Sequence, residues 1–259
     1  MTAGDRYVNL GDSYSAAAGL QPLVENGPLY CSRSSRNFAH LVAQRRGLDL
    51  TDVSCSGAET GDFTSAQYFG IAPQLDALDP ARPPRLVTVM VGGNDNETFT
   101  GTIRRCGDAV HSDPTAAPCR MRYGDSLIEP VRTQTYPAVR EVFRQVREKA
   151  PGATVLAVGY PWILPPAQGC YPRVQVAAGD VGYVRELQAA LNDAVRRAAS
   201  ETGVRFVDMA AVSEGHDACR PPDERWIEPQ QGPVTAATLH PNARGEQAMA
   251  DEILKVLSP

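Results

Sequence analysis

The chain reads as an α/β protein built on a doubly wound parallel sheet, and two observations predict this. Short β-branched or leucine-rich segments recur from one end of the 259-residue chain to the other, with amphipathic helical stretches between them. The apolar runs are continuous rather than alternating, as in Leu86-Val87-Thr88-Val89-Met90-Val91, which suits strands covered on both faces.

The expected strands are Tyr7–Leu10, Leu48–Ser54, Leu86–Val91, Thr154–Val158 and Val204–Val207, each bounded by Gly, Pro or charged residues. Asn37–Arg46 forms a short helix. Tyr136–Ala150 places Val139, Val142, Phe143 and Val146 on one helical face. Tyr183–Glu201 does the same with Val184, Leu187, Leu191, Ala194 and Ala198, and stops near Gly203. The last helix, Ala243–Leu257, buries Met249, Ile253, Val256 and Leu257. Gly92–Thr133, Gly159–Gly182 and Met209–Leu239 are left as long loops that contain prolines and cysteines. Loops of that length are uncommon unless functional or stapled, and these are expected to surround the site.

Apolar residues make up 42% of the chain and charged residues 21%, as expected for a protein with a sizeable core. No linker or composition break divides it, so one domain over residues 1–259 is expected. Net charge is 25 − 30 = −5 with no continuous basic stripe, which argues against a nucleic-acid partner. The apolar runs fall far short of the roughly 20 residues needed to span a bilayer. A monomer is expected.

Six cysteines, Cys31, Cys55, Cys106, Cys119, Cys170 and Cys219, lack C-x-x-C spacing, so neither zinc nor another metal is expected. No cofactor is expected either. An even number of scattered cysteines suggests an oxidising compartment. Sequential pairing, Cys31–Cys55, Cys106–Cys119 and Cys170–Cys219, closes local excursions. No apolar secretion segment opens the chain, so the secreted reading takes it as a mature form.

Four short blocks carry the chemistry: Gly11-Asp12-Ser13-Tyr14-Ser15, Gly57, Gly92-Gly93-Asn94-Asp95 and His240-Pro241-Asn242. Ser13 follows the first strand, Gly57 the second and Asn94 the third, while His240 precedes the final helix. Right-handed crossovers put the C-terminal ends of parallel strands on one rim, where such folds bind ligands. A serine hydroxyl needs an imidazole to remove its proton, and attack on a carbonyl needs donors for the oxyanion. Gly57 lets the backbone approach closely, and Asn94 is a neutral donor where an ionised Asp could not donate. Alone, Ser13 reads as a helix cap and Gly57 or Asn94 as turn residues; the four together reverse that. His40, His111 and His216 read as structural or solvated.

The string is not the G-x-S-x-G elbow, since Ser stands at position 15 and the block follows the first strand. From Gly11 to Asn242 the blocks instead resemble the GDSL/SGNH hydrolase family. That resemblance implies a flavodoxin-like three-layer α/β/α sandwich with a five-stranded parallel sheet. It implies Ser13 as nucleophile, His240 as base, and the Ser13 amide, Gly57 amide and Asn94 side chain as oxyanion donors. The family often has Asp three residues before the histidine, where this chain has Ala237. The expectation is a Ser–His dyad with the Ala237 carbonyl orienting the ring, or a displaced acid from Asp208, Asp217 or Asp223.

Phe63, Tyr68, Phe69 and Ile71 after the Gly57 block, and Trp162, Ile163 and Leu164 after the fourth strand, are candidates for an apolar cleft, with Phe63, Tyr68 and Trp162 chosen as substrate-binding residues. Arg104, Arg105, Arg120 and Arg122 are candidates for a phosphate or carboxylate. The reading is a lipase or esterase acting on small-molecule or lipid esters through an acyl-serine. A carbohydrate or aromatic-acid esterase and a phospholipase would use the same site. A non-catalytic flavodoxin-like module would leave Asn94 and His240 idle.

Overall fold

Five strands, β1 (Arg6–Gly11), β2 (Asp49–Asp52), β3 (Leu86–Met90), β4 (Thr154–Val158) and β5 (Arg205–Val207), form one all-parallel sheet in the computed structural model, which describes residues 1–258. Their order is β2-β1-β3-β4-β5. The chain therefore moves outward from β1 to β2, then reverses direction and crosses to β3. Helices on the two kinds of crossover fall on opposite faces of the sheet.

The helices are α1 (Ser13–Ala16), α2 (Phe38–Arg46), α3 (Thr98–Val110), α4 (Pro118–Tyr123), α5 (Tyr136–Lys149), α6 (Val181–Thr202), α7 (Met209–Val212) and α8 (Ala243–Leu257). On one face α2 packs against α8, and on the other α5 packs against α6. The α5 and α6 stripes interdigitate over the sheet through Val139, Phe143, Val146, Leu187, Leu191 and Val195, all buried. Strand β3 is buried at every residue, as a central strand flanked by helices must be. The reversal point lies between β1 and β3, where open α/β sheets leave a crevice beyond the strand ends.

Strand β2 is shorter than its apolar run suggests, because it sits at the sheet edge and its end serves a polar cluster. Asp52 accepts hydrogen bonds from Asn9 (2.9 Å), Asn37 (2.7 Å) and the Ser54 hydroxyl (2.7 Å), tying β1, β2 and the start of α2 together. Under the first turn of α1, the Ser15 and Thr88 hydroxyls both donate to Asn9 Oδ1. These buried groups are mutually satisfied, which is the condition for keeping them in a core.

The stretch Gly92–Thr133 is not a loop. It holds α3 and α4, pinned to each other by the Cys106–Cys119 disulfide. Gly101, Arg104, Arg105 and Gly107 interrupt the apolar spacing of α3, whose buried face uses Thr98, Thr102, Ile103, Cys106, Ala109 and Val110. The other disulfides join Cys31 to Cys55 and Cys170 to Cys219. Among the described residues no helix is long and apolar enough to cross a membrane.

Candidate active site

Strand β1 ends at Gly11 and the chain turns at once into α1. The turn is tight enough to require glycine: a Cβ there would lie 2.5 Å from the Met90 carbonyl oxygen and 2.7 Å from Ser15 Cβ. Asp12 caps α1, its Oδ1 accepting the Tyr14 N–H at 2.9 Å. Ser13, the first residue of α1, stands at the rim beside the reversal point. Tyr160, beyond β4, donates its hydroxyl proton to Asp12 Oδ2 at 2.5 Å and accepts the Gly93 N–H at 3.0 Å. Burial pushes the Asp12 carboxyl up to about 7, against the hydrogen bonds from Tyr160 and the α1 amides, which favour its charged form.

Gly57 occupies a turn in which the Ala58 N–H meets the Cys55 carbonyl at 3.1 Å, and its φ of +79° is one that glycine adopts without steric cost. The turn is anchored where β1 ends, through the Cys55 N–H on the Gly11 carbonyl at 2.9 Å. Asn94 reaches the same turn: its side-chain amide donates to the Ala58 carbonyl at 3.0 Å. The next residue, Asp95, is buried and accepts the N–H and hydroxyl of Thr60, while burial holds its carboxyl above the usual carboxylate range. Asp95 therefore fixes the position of Asn94 and does not face the cleft.

His240 Nε2 lies 2.8 Å from Ser13 Oγ, and Nδ1 lies 2.8 Å from the Thr238 carbonyl oxygen. Burial lowers the imidazole below the ordinary histidine value of 6.5, and the Thr238 carbonyl partly offsets this. At neutral pH the ring is uncharged: Nδ1–H donates to Thr238, which leaves Nε2 as the acceptor facing the serine hydroxyl. Among the described residues no carboxylate is hydrogen-bonded to this ring.

The expected Ala237 carbonyl does not take that role. It accepts the backbone N–H of His240 at 3.2 Å, while Leu239, at φ +59°, turns the chain so that the Thr238 carbonyl faces the ring. Asp208 caps α7 through the Ala211 N–H, Asp217 accepts the Cys219 N–H, and Asp223 is exposed, so none is a displaced acid. Pro241 lies one residue before the Asn242 cap of α8 rather than inside the helix.

The loop carrying His240 is held from several sides. Tyr14 donates its hydroxyl to the Leu239 carbonyl at 2.5 Å, and its ring lies 5.1 Å from the imidazole. Glu228, buried against Arg225 at 2.5 Å, also accepts the Val234 N–H and the Thr235 hydroxyl. Its backbone N–H and carbonyl bond the His240 carbonyl and the Leu239 N–H.

Ser13, Gly57, Asn94 and His240 all line one cleft of about 530 Å³, a size typical of small-ligand sites. Tyr14, Phe99, Ile103, Ile163 and Leu239 give it apolar walls, and Arg104, Asp108, His111, Gln175 and Gln230 add a polar portion.

A model of the GDSL-like lipase/acylhydrolase family matches residues 10–248. The chain belongs to this family. It is 50% identical to Lipase 2 of Streptomyces coelicolor over 254 residues, a match that covers 97% of this chain and 85% of that protein. The crystal structure of phospholipase A1 from Streptomyces albidoflavus NA297 superposes with a TM-score of 0.80 at 25% identity, covering 99% of this chain and all of that one. An extracellular lipase from Streptomyces rimosus has the same fold, with a TM-score of 0.80 at 24% identity over 98% of this chain and 100% of that one. The chain is thus a carboxylic ester hydrolase.

The walls of this GDSL-family hydrolase differ from those expected. Phe63 is fully buried in the core. Trp162 lies under the Arg185 guanidinium at 3.8 Å, and its neighbour Ile163 lines the cleft instead. Tyr68 is 41% exposed, with its hydroxyl beside Gly57, and is not among the residues that line the cleft. His111, expected to be structural or solvated, stands at the C-terminal end of α3 and lines the cleft. Of the arginines only Arg104 reaches the cleft, and like Arg105 it is paired with Glu97. Tyr160, Thr238 and Glu228 were not singled out by sequence.

Proposed function

We propose that the chain hydrolyses lipid esters through an acyl-serine on Ser13, with His240 as its base in a two-residue dyad. The observation that carries this is the 2.8 Å contact between His240 Nε2 and Ser13 Oγ, made by a ring whose other nitrogen is committed to Thr238. Ser13 attacks the ester carbonyl carbon while its proton passes to Nε2. The carbonyl oxygen becomes an oxyanion, for which the Ser13 and Gly57 amides and the Asn94 side chain are the donors. Collapse breaks the bond to the alkoxy oxygen, which leaves as an alcohol with the proton from Nε2. Water then attacks the acyl-serine by the same sequence in reverse.

The imidazolium formed in each step is stabilised by a carbonyl dipole in place of a carboxylate. The apolar walls next to Ser13 suit a hydrocarbon arm. Arg104 and Arg105 share the one Glu97 carboxylate at the polar end of the cleft, so it is the apolar walls next to Ser13 that favour a neutral lipid or simple ester. Three disulfides support secretion into an oxidising compartment. We also expect a monomer of a single domain.

Initial rates on p-nitrophenyl esters of increasing chain length, measured with the parent and with Ser13→Ala, test this reading. Removal of the nucleophile should lower kcat by at least about 10⁴-fold with the fold intact. Near-normal turnover by folded Ser13→Ala would overturn it.

A further inference from the structure

Large apolar side chains exposed to water gather in two turns beside Gly57. Leu29 is 79% exposed and Tyr30 72%, while Tyr68 and Phe69 are 41% and 105% exposed. The Tyr30 and Tyr68 rings lie 5.7 Å apart, so the two turns form one patch. Neither can collapse inward. Cys31 is bonded to Cys55, and its carbonyl accepts the Ser56 N–H at 3.1 Å. Gln67 donates to the Ser56 carbonyl at 2.9 Å, and a Cβ on Gly57 would lie 3.6 Å from the Tyr68 hydroxyl. Both turns are thus fastened to Ser56 and Gly57, which line the cleft. The patch therefore adjoins two residues of the cleft wall.

We propose that this patch is a docking surface for an uncharged or zwitterionic lipid layer, which it seats against the cleft mouth. Three features select that occupant. Leucine with tyrosine and phenylalanine is the mixture that settles at a lipid–water boundary, apolar bodies inward and hydroxyls outward. The two turns themselves carry no Lys or Arg, Glu25, Glu59 and Asp62 lie in the same stretches of chain, and the adjacent Arg33 is turned inward onto the Ser54 carbonyl and Asp52, so the patch offers an anionic surface little attraction. A protein seated here would cover the entrance beside Gly57, whereas a lipid layer supplies ester to it. This last step rests on the proposed ester chemistry, but adsorption to lipid can be measured without it.

The test uses the full chain carrying Ser13→Ala, so that vesicles are not consumed, and flotation with phosphatidylcholine vesicles. The same measurement is made with Leu29→Ser, Tyr30→Ser and Phe69→Ser combined, leaving Tyr68 and the cleft untouched. The single-site parent should float with phosphatidylcholine and no more when phosphatidylserine is added. The triple change should lower partitioning at least about tenfold, since it removes three large apolar groups from contact with lipid. In the Ser13 background, turnover of dissolved p-nitrophenyl acetate should stay within about twofold of the parent, because such exposed side chains rarely affect the fold. Phe69→Ser alone, at a fully exposed position, should give a smaller loss in the same direction and serves if the triple variant is misfolded. Equal partitioning of parent and variants, no flotation of the parent, or a dimer that the substitutions dissociate in place of lipid binding would each overturn the proposal. Loss of acetate turnover in Ser13→Ala is read separately, so failure of the ester chemistry and failure of the docking surface are distinguishable.

Discussion

Tyr160 donates its hydroxyl proton to Asp12 at 2.5 Å while accepting the Gly93 N–H at 3.0 Å. One phenol beyond β4 thereby fixes the spacing between the turn that presents Ser13 and the turn that presents Asn94. Its ring also packs edge-on against Tyr14 and Phe99, with centroids 5.4 and 5.1 Å away. The separation of Ser13 and Asn94 is thus set by a side chain that is hydrogen-bonded to neither.

Tyr160→Phe keeps the ring and removes both bonds, leaving a buried N–H and a buried carboxylate without their partner. Stability should fall by about 1–3 kcal/mol, measured by urea unfolding. The kcat should fall more than KM rises, because the loss lies in the relative placement of Ser13 and Asn94. An unchanged kcat would mean that the network serves folding alone.

With His240 as the proposed base, its protonation state should set the acid side of the activity profile. Only the uncharged ring can accept the serine proton, so kcat/KM should decline as pH falls through the histidine pKa. Burial places that pKa below the ordinary value of 6.5, so the midpoint of the decline should also lie below it. Stability has the same sign: the unfolded chain takes up a proton at the ordinary value and the folded chain resists it, so this contribution is present above the ordinary pKa and lost on acidification. A midpoint above 6.5 in the kcat/KM profile would contradict a carboxylate-free imidazole.

Asn94→Ala should lower kcat by about 100- to 1,000-fold with little change in KM, as expected for a donor engaged in the transition state. Losing the bond to Ala58 adds a stability cost of about 1 kcal/mol, readable in the same urea melts. Asn94→Asp is close in shape and should be no better, because an ionised carboxylate cannot donate. Activity near that of the parent in either variant would remove Asn94 from the oxyanion site.

Gly107 lies within α3 on the cleft wall, and a Cβ there would be 3.6 Å from Gln175, an ordinary contact. Gly107→Ala should therefore raise stability by about 1 kcal/mol through helix propensity. Gly107→Leu should narrow the cleft at Gln175 and lower kcat/KM for long-chain p-nitrophenyl esters at least about tenfold more than for the acetate, since only a substrate long enough to reach that end meets the added side chain. A uniform fall across the series would show that the substrate does not extend along α3.

The four blocks were legible because each sits where a strand ends or a helix begins, and parallel topology collects those points on one rim. Strand β4 and helix α8 were equally plain, with unbroken apolar character and regular helical spacing. Helix α3 was not: two glycines and adjacent arginines break its apolar stripe, and its buried face relies on small and hydroxyl side chains that carry little periodic signal. The choice of Thr238 over Ala237 depends on Leu239 adopting a left-handed conformation, which leucine rarely takes and no residue pattern announces. Phe63 and Trp162 were misplaced because a loop aromatic reads alike whether it faces a cleft, the core or a guanidinium. Glu228 escaped notice for a related reason, since an acid and an arginine three apart usually mark a solvated surface.

The account stands on Ser13 being the residue that bonds to substrate, and covalent capture tests this most directly. Treatment with a fluorophosphonate followed by peptide mass spectrometry should locate one adduct, on Ser13, with labelling slowed by orders of magnitude in His240→Ala. An adduct on any other residue, or undiminished labelling of folded Ser13→Ala, would contradict it.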